Sequence, residues 1–472
     1  MPAYGATAGD GCAAFPLALI EEVVSAAGVV EQRRRLLPAV AVVVFVLGCC
    51  LFSGEGYGEV ARKLAGWLAP LGGGDGWRVP GSGALARARR RAGPGPLRLL
   101  FARLAGPLAG PDAPGARAFG RLLVALDGTM LDVPCTAANV AAFGPPHGGG
   151  GAGGWPQVRV VVLAACGSRG LIDAVFRGRR AACSSEQDLA RKITARGRLR
   201  RGMLVLADRN FSGYPVVACL AATGADVLIR ARSDQRLPVL EVLADGSYRS
   251  VLPDPAAARL LLHRNATRRR RGSTRAPDPR SGLPGIPVRV IEADITLTPA
   301  GAPPRTERCR LITTILDAAA APAAQAAACY AQRWEIENGY RETKVFTRGA
   351  GRVLRSQTPA GIAQEIWALL CACQLTHTAR VQAAAAGGHD PDRISYTVTL
   401  RAIRRAVTTT TPAGSITAEA LTALLPPRRR RSYPRLPRTS TAKRRAARAP
   451  LTGAITYKIT IAAPSHTDLP GP

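Results

Sequence analysis

The sequence predicts an α/β protein in which a core of strands and helices follows a helical domain and is interrupted by further strands. Three observations predict this architecture. Apolar residues recur with helical spacing up to about residue 115, short apolar runs bounded by turn residues begin at Arg121, and helical patterns return at Ala323. We therefore expect an α-helical N-terminal domain, an α/β core with a β-rich insertion, and a helical, basic C-terminal region.

The N-terminal region contains five amphipathic segments that are separated by Gly and Pro clusters and predict helices. These segments cover Pro16–Val30, Pro38–Phe52, Tyr57–Leu68, Gly83–Arg91 and Pro96–Leu108. The apolar run Leu36–Phe52 follows three arginines, as a membrane anchor would, but it is short for a span and contains Pro38 and Gly48. We expect a buried helix there, no membrane contact and no targeting segment.

From Arg121 onward, apolar runs and capping signals predict three strands, a helix, a strand, a helix and a strand. The strands are Arg121–Asp127, Val158–Cys166, Leu171–Phe176, Met203–Asp208 and Asp226–Arg232, and the helices are Ser185–Ile193 and Tyr214–Ala222. The ribonuclease-H-like fold has this order of elements, with acidic residues on its first strand and just after its fourth. Asp127 and Asp208 occupy those positions, and the fold requires a further carboxylate from a later helix.

Residues 233–322 carry strand and turn signals, and we interpret them as a β-rich insertion into this core. Asp245-Gly246 lies between two strand-like runs and predicts a hairpin turn. The basic run Arg268–Arg271 lies in a polar, Pro-rich stretch and is either a DNA contact or a flexible loop.

Basic residues outnumber acidic residues, with 64 Lys and Arg against 32 Asp and Glu and a formal net charge of +32. Such an excess attracts a polyanion through counterion release and long-range steering, which favours nucleic acid as the partner. A genome rich in Arg codons is the alternative explanation, because few of the basic residues are Lys. That alternative does not account for the small number of acidic residues.

The 11 Cys and five His show no metal-ligand spacing and no CxxC pair. Cys371 and Cys373 lie in an apolar run, where a thiol behaves as a small hydrophobic group. We therefore expect a reduced, cytoplasmic protein without a zinc site and without histidine catalysis.

The stretch Tyr330–Lys344 predicts a helix that carries several reactive side chains on one face. At about 100° per residue, an arc of roughly 60° contains Tyr330, Arg333, Glu337 and Lys344. Glu335 and Glu342 project to the other side, where we expect them to be solvated. A carboxylate flanked by Tyr, Arg and Lys suits a site that holds a metal ion and anchors phosphates.

Nucleotidyl transfer explains why three carboxylates are needed. Hard oxygen ligands hold two Mg²⁺ ions roughly 3.5–4 Å apart, one activating the attacking water or 3′-OH and the other stabilising the leaving oxygen. We expect Asp127 to bridge both ions, with Asp208 and Glu337 completing one each and with Mn²⁺ as a substitute for Mg²⁺. Asp is also common in turns after strands, and Arg333 with Glu337 also fits a helix-surface pair, so both interpretations stay open on these residues alone.

The predicted helix matches, without a gap, the YREK signature of the insertion-element-four family of DDE transposases: Tyr330-x2-Arg333-x3-Glu337-x6-Lys344. Two further segments resemble the first-aspartate and second-aspartate blocks of that family, DGTMLDVP at Asp127–Pro134 and LADRNFSGYP at Leu206–Pro215. The segment Phe52–Leu64 resembles the helical N-terminal domain of the family, and the β-rich insertion is also a family trait. The resemblance covers most of residues 15 to 440.

The resemblance implies a DNA transposase that moves an insertion sequence by cut-and-paste, through Mg²⁺-dependent phosphodiester hydrolysis and 3′-OH strand transfer. The implied site consists of the catalytic, metal-binding Asp127, Asp208 and Glu337 and the phosphate-binding Tyr330, Arg333 and Lys344. The implied partner is double-stranded DNA, both the terminal inverted repeats of the element and the target, bound by a homodimer on paired ends. We expect such a protein at the nucleoid of a bacterial cytoplasm.

These observations predict five segments along the chain. They are a helical DNA-binding domain at 1–115, the first part of the catalytic core at 116–232, the β-rich insertion at 233–322, the catalytic-core helix and the helix after it at 323–390, and a basic, partly disordered C-terminal region at 391–472.

Relatives that excise through a DNA hairpin stabilise a flipped base on an aromatic residue of the insertion. Between Asp208 and Tyr330 this chain has no Trp, and its aromatics there are Phe211, Tyr214 and Tyr248. The sequence therefore leaves the excision route open.

Two alternative functions stay open beside transposition. One is a ribonuclease-H-like DNA nuclease, against which the signature helix argues. The other is an inactive DNA-binding copy that regulates its own element, against which the three intact carboxylates argue.

Overall fold

A computed structural model describes residues 15–31, 36–73, 77–146, 154–257, 259–260, 284–299, 303–409, 413–427 and 455–464. The chain divides into two compact units. The helical unit comprises Met1–Ala116, Gly128–Ser185 and Glu335–Arg428, and the sheet unit comprises Arg117–Asp127, Glu186–Trp334 and Arg429–Pro472.

The described N-terminal residues form helices in the helical unit. They are α1 (Leu17–Ala26), α2 (Ala39–Leu51), α3 (Tyr57–Lys63), α4 (Ala65–Gly72), α5 (Ser82–Ala92) and α6 (Gly95–Leu104). The predicted helices are confirmed, with the segment Tyr57–Leu68 divided into α3 and α4 at Leu64. Every residue of α2 except Val40 is buried, as predicted for this apolar run. No helix among the described residues is both long and apolar enough to cross a membrane.

The sheet unit is built on three parallel strands, β2 (Arg121–Asp132), β5 (Met203–Ala207) and β6 (Asp226–Arg230). Helices α8 (Glu186–Thr194) and α9 (Tyr214–Ala222) lie before β5 and β6 along the chain. The apolar side chains of β5 are all buried, as expected for a strand covered on both faces. These strands and helices confirm the predicted elements, and a short strand β1 (Arg117–Ala118) adds antiparallel to the start of β2.

The strands of the insertion and one strand of the C-terminal region continue this sheet. The additional strands are β7 (Glu241–Val242), β8 (Tyr248–Pro253), β9 (Gly285–Pro299), β10 (Arg305–Thr313) and β11 (Ile455–Ile461). From β6 the order is β10, β9, β8 and β7, all antiparallel, and β11 also pairs with β9. The predicted turn at Asp245-Gly246 joins β7 to β8, and Gly246 adopts a φ of 81°, which glycine tolerates best.

Strand β2 is shared by both units, because its residues up to Asp127 belong to the sheet unit and the remainder to the helical unit. The predicted strand ended at Asp127, whereas β2 continues to Asp132, although Gly128 and Asp132 are residue types that strands disfavour. In the helical unit the next strands are β3 (Gln157–Ala165) and β4 (Leu171–Gly178), which form an antiparallel hairpin. The order β4, β3, β2, β5, β6 is that of a ribonuclease-H-like core, which confirms the predicted fold class.

The remaining helices of the core and the C-terminal region are α10 (Ala323–Tyr330), α11 (Trp334–Arg341), α12 (Pro359–Ala386), α13 (Tyr396–Thr409) and α14 (Ala413–Leu421); the short α7 (Ala137–Phe143) follows β2. Most residues of α12 are buried, and in the helical unit it packs against α2 and α6. Gln364 of α12 accepts a hydrogen bond from Arg89 Nε at 3.0 Å and donates to the Arg89 carbonyl at 3.0 Å, which fixes α5 on α12.

Three basic runs that the sequence singled out lie outside the described residues. They are Arg268–Arg271, Arg428–Arg431 and Arg435–Arg448.

Candidate active site

Asp127 and Asp208 lie next to each other in the sheet unit. Strands β2 and β5 are parallel, with Leu126 paired to Ala207, so the two aspartates follow on neighbouring strands at the same level. Neighbouring strands are about 4.8 Å apart, and residues at one level point to one face. Both side chains are partly exposed, whereas Leu126 and Ala207 are buried. The structure therefore presents two adjacent carboxylates at the carboxyl end of β5.

The backbone after Asp208 is held by the aspartate itself. One of its carboxylate oxygens accepts a hydrogen bond from Asn210 N at 2.8 Å and caps a short 3₁₀ helix, Arg209–Phe211. The Asn210 side chain in turn donates to Glu186 at 2.5 Å. These contacts fix the position of Asp208 and leave its second oxygen outside that hydrogen bond.

Two residues of the predicted signature lie in the same unit. The Tyr330 hydroxyl donates to the Ala207 carbonyl at 3.1 Å, one residue before Asp208. Burial raises the pKa of the Tyr330 phenol. The positive charge of Arg333 opposes this rise, and the negative charge of Asp208 adds to it. Arg333 is buried, with its guanidinium 5.9 Å from the Tyr330 ring and 5.5 Å from the Trp334 ring. The phenol therefore stays protonated beside the Asp208 strand end.

The signature helix is not one regular α-helix, which corrects the prediction of a single helical face. After α10 a 3₁₀ turn spans Ala331–Arg333, then α11 follows, and a π-helical segment spans Glu342–Thr347. A 3₁₀ turn advances about 120° per residue, so the arc computed with regular α-helical spacing does not hold. The π segment is closed by Thr347 Oγ1, which donates to the Glu342 carbonyl at 3.1 Å, and by Arg348 N, which donates to the Thr343 carbonyl at 3.0 Å.

Glu335 and Glu342 are buried, so the prediction that they are solvated is wrong. Both pair with Arg169, which lies in the turn between β3 and β4 at a φ of 62°. Arg169 Nε lies 2.7 Å from Glu335, Nη1 lies 2.6 Å from Glu342, and Nη2 pairs with Asp392. Burial lowers the pKa of Arg169, but the three carboxylates outweigh burial and raise it. We call Arg169 and these three carboxylates the Arg169 cluster.

The Arg169 cluster positions the segment that carries the predicted catalytic glutamate. Glu335 lies in the first turn of α11 together with Glu337, and Glu342 begins the π segment that contains Lys344. Because Glu335 and Glu342 both bind the guanidinium of Arg169, two points of this segment are fixed to the turn between β3 and β4. The sequence carried only one signal of the cluster, the spacing of seven residues that places Glu335 and Glu342 on one helical face.

The buried His377 of α12 borders this cluster and predicts a pH dependence of stability. Burial, together with the positive charges of Arg380 and Arg169, holds the pKa of His377 well below its ordinary value of 6.5. Its Nδ1 lies 3.2 Å from Arg380 Nη1 and its Nε2 lies 3.8 Å from Glu342 Oε2. Below pH 6.5 His377 binds a proton in the unfolded chain but not in the folded protein. The contribution of the neutral His377 to the free energy of unfolding is therefore fully present above pH 6.5 and is lost as the pH falls.

We therefore expect His377→Gln to flatten the fall in melting temperature between roughly pH 7 and pH 5 relative to wild type. Thermal unfolding followed by circular dichroism measures this slope. His389→Gln, at a partly exposed histidine, is the control and should keep the wild-type slope. If the melting temperatures of wild type and His377→Gln fall in parallel with pH, His377 is not the source of this pH dependence.

Glu337 and Lys344 lie in the helical unit. Glu337 is partly exposed on α11, and its approach to the two aspartates stays a prediction. Burial lowers the pKa of Lys344, the neighbouring positive charge of Arg348 lowers it further, and the Asp132 carboxylate opposes both. Asp132 accepts a hydrogen bond from Gln157 at 2.9 Å.

No group of three or more His, Cys, Asp and Glu side chains that could hold a metal ion occurs within the described ranges. The predicted metal-binding role of the three carboxylates therefore stays a prediction.

Two of the three aromatic residues between Asp208 and Tyr330 are inside the protein. Phe211 is 0% exposed and Tyr248 is 1% exposed, and the Tyr248 hydroxyl donates to Glu292 at 3.2 Å. In this arrangement neither ring is accessible for stacking on an extruded base.

Comparison with known proteins identifies the family of this chain. Residues 12–102 match the N-terminal domain of insertion element 4 transposases, and residues 118–375 match the transposase DDE domain. The transposase InsG for insertion sequence element IS4 of Escherichia coli K12 is 25% identical over 430 residues, which cover 89% of each chain. A cryo-electron microscopy structure of a piggyBac transposase synaptic complex with hairpin DNA aligns with a TM-score of 0.41 and 10% identity, over 87% of this chain and 80% of that one. Because the DDE domain spans more than half of the sequence and follows the family's own N-terminal domain, this chain belongs to the insertion element 4 family of DDE transposases.

Proposed function

We propose that this transposase performs cut-and-paste transposition of an insertion sequence by Mg²⁺-dependent phosphodiester hydrolysis and 3′-OH strand transfer. The observation that carries the proposal is the pair of aspartates on adjacent parallel strands. The hydroxyl of the signature residue Tyr330 donates a hydrogen bond to the carbonyl of Ala207, the residue before Asp208. Asp127, Asp208 and Glu337 are the proposed catalytic residues.

The donor set of the proposed site suits a divalent cation. Carboxylate oxygens are the ligands that Mg²⁺ prefers, and Asp127 and Asp208 offer them side by side at a partly exposed strand end. We propose that these two residues and Glu337 hold two Mg²⁺ ions, for which Mn²⁺ substitutes. When bound, such ions supply activation of the attacking water or 3′-OH and stabilisation of the leaving oxygen.

The protein's own side chains orient the DNA around these carboxylates. A raised pKa keeps the Tyr330 phenol neutral, so it adds no negative charge near phosphates while it braces the strand end that carries Asp208. Arg333 contributes a fixed, planar cation, since the Tyr330 and Trp334 rings border its guanidinium. We propose that these two residues and Lys344 bind phosphates near the cut.

Tyr330→Phe tests the bracing role. Loss of the hydrogen bond to the Ala207 carbonyl should slow cleavage of element-end DNA by about 10–100-fold, because support for a catalytic carboxylate is lost. Single-turnover cleavage at saturating protein measures the effect. Tyr248→Phe is a matched control, since it also removes one buried hydroxyl in the sheet unit, and it should cleave at nearly the wild-type rate. Equal rates for Tyr330→Phe and Tyr248→Phe would refute the role.

The proposed partner is double-stranded DNA, at the terminal inverted repeats of the element and at the target. We propose that the helical N-terminal domain at residues 1–115 binds the repeats and that a homodimer assembles on paired ends in the bacterial nucleoid. The formal net charge of +32 supports DNA as the partner. Short inverted repeats in the DNA that flanks the gene would identify the element.

A strand-transfer reaction separates this function from the two alternatives. Purified protein is incubated with pre-cut element ends and a target plasmid, in Mg²⁺ and in EDTA. Transposition predicts joined recombinant DNA in Mg²⁺ only. A nuclease would degrade DNA without joining it, and an inactive regulatory copy would bind the ends in both conditions without either product.

A further inference from the structure

The segment that follows the π-helical turn contains an arginine with no role in the signature. We propose that Arg348, together with Lys344, binds one phosphate of the element-end DNA. This inference rests on the proposed function and adds a specific residue to its DNA-binding surface.

The guanidinium of Arg348 has unused hydrogen-bonding capacity inside the helical unit. Its Nε and Nη1 atoms are buried and have no hydrogen-bond partner among the residues that the structure describes. A buried donor without an acceptor is costly, so these nitrogens call for a partner that the described residues do not supply. A phosphate oxygen is an acceptor of the kind that these nitrogens lack, and its hydrogen bonds to a guanidinium group are charge-assisted and strong.

Other arginines of the same segment are satisfied by the protein. Arg352 Nη1 donates to the Ser53 carbonyl at 2.8 Å, and Arg355 Nη1 donates to the Glu55 carbonyl at 2.6 Å. These two arginines tie the segment to the loop after α2 and explain its position. Arg348 therefore differs from its neighbours, because it lines the same region without such an acceptor.

The carboxylates near Arg348 already accept hydrogen bonds from other groups. Lys344 adds a second cation, and the two carboxylates that act on Arg348 are those of Asp132 and Glu365. Asp132 already accepts a hydrogen bond from Gln157, and Glu365 already accepts hydrogen bonds from the backbone of Arg355 and from Ser356. Burial lowers the pKa of Arg348 and of Lys344, so both cations gain from an added anion.

The salt dependence of DNA binding tests this site. Fluorescence anisotropy of a labelled duplex, taken from the inverted repeat that bounds the gene, is measured in EDTA over a series of salt concentrations. Arg348→Gln should weaken binding about tenfold or more and should lower the slope of log K against log salt by about 0.9, the value for one lost phosphate contact. Arg348→Lys should keep the slope but bind more weakly, because an ammonium group lacks the planar fork.

A double variant tests whether the two cations share one phosphate. Lys344→Gln should reproduce the slope of Arg348→Gln, and the variant that combines both changes should lose little more than either alone. If the salt slope of the double variant falls by the sum of the two single losses, the two cations do not share one phosphate.

Thermal unfolding distinguishes a ligand-binding residue from a structural one. Arg348→Gln should melt no lower than wild type, because it removes buried donors that lack acceptors. The control is Arg121→Gln, which removes an equal charge from an arginine paired with Asp226 at 2.5 Å, and it should melt lower while keeping the wild-type salt slope.

Two negative results have different meanings. Wild-type slope and affinity in Arg348→Gln would overturn the Arg348 site and leave the proposed function intact. Failure of the wild-type protein to bind the duplex at any salt concentration would overturn both.

Discussion

Replacement of Glu337 by Gln is expected to abolish DNA cleavage and strand transfer while DNA binding and melting temperature stay close to wild type. Gln has nearly the same size but cannot supply a charged oxygen to a divalent cation. We expect the single-turnover cleavage rate in Mg²⁺ to fall by about 10³-fold or more, as for residues that act as a unit in a catalytic set. Asp127→Asn and Asp208→Asn should have effects of similar size.

The control for this experiment is a glutamate of the helical unit that is paired only at the surface. Glu419→Gln of α14 removes the partner of Arg405 and should cleave like wild type. Wild-type cleavage by Glu337→Gln would reject its catalytic role. Loss of DNA binding in parallel with cleavage would instead indicate that Glu337 supports the DNA-binding surface.

Replacement of Arg169 by Met is expected to have the largest effect on stability. Arg169 is 5% exposed and is shared by the three carboxylates of its cluster. Removing one partner of a buried ionic group leaves charges uncompensated, which costs about 3–5 kcal/mol of unfolding free energy. Urea unfolding followed by circular dichroism measures this loss.

An exposed ion pair provides the comparison for Arg169. Arg62→Met breaks a pair with Glu59 whose side chains are 63% and 44% exposed, and such surface pairs contribute about 1 kcal/mol or less. Arg169→Lys keeps the charge but cannot bind three carboxylates with one planar group, so we expect an intermediate loss. An Arg169→Met variant that unfolds like Arg62→Met would show that the cluster does not stabilise this segment.

The Arg169 cluster has a consequence for the proposed chemistry. A catalytic glutamate must be held to within a fraction of an ångström, and residues in irregular helices are held less firmly by their own backbone hydrogen bonds. Buried pairs at Glu335 and Glu342 on either side of Glu337 supply this constraint from outside the helix. The irregular helix is therefore compatible with a fixed position for the glutamate.

Local patterns in the sequence were sufficient to locate the core strands and the two aspartates, but not the C-terminal end of β2. Strands β2, β5 and β6 are short apolar runs, and Asp127 and Asp208 stand at predicted strand ends because the polar residue follows the last buried one. The turn at Asp245-Gly246 was equally predictable, since a positive φ is a property of one residue. The family signature needed only residue identity and spacing.

Tertiary structure alone decided the features that depend on distant residues. Arg169 is separated from Glu335 by 166 positions and from Glu342 by 173, so no local periodicity distinguishes these glutamates from solvated ones. The same holds for the pairing of β10 with β6, which makes the insertion part of the core sheet. The sequence by itself determined the ribonuclease-H-like order of elements and the family, because apolar periodicity and motif spacing are local, whereas burial of charge and strand pairing arise only when remote segments meet.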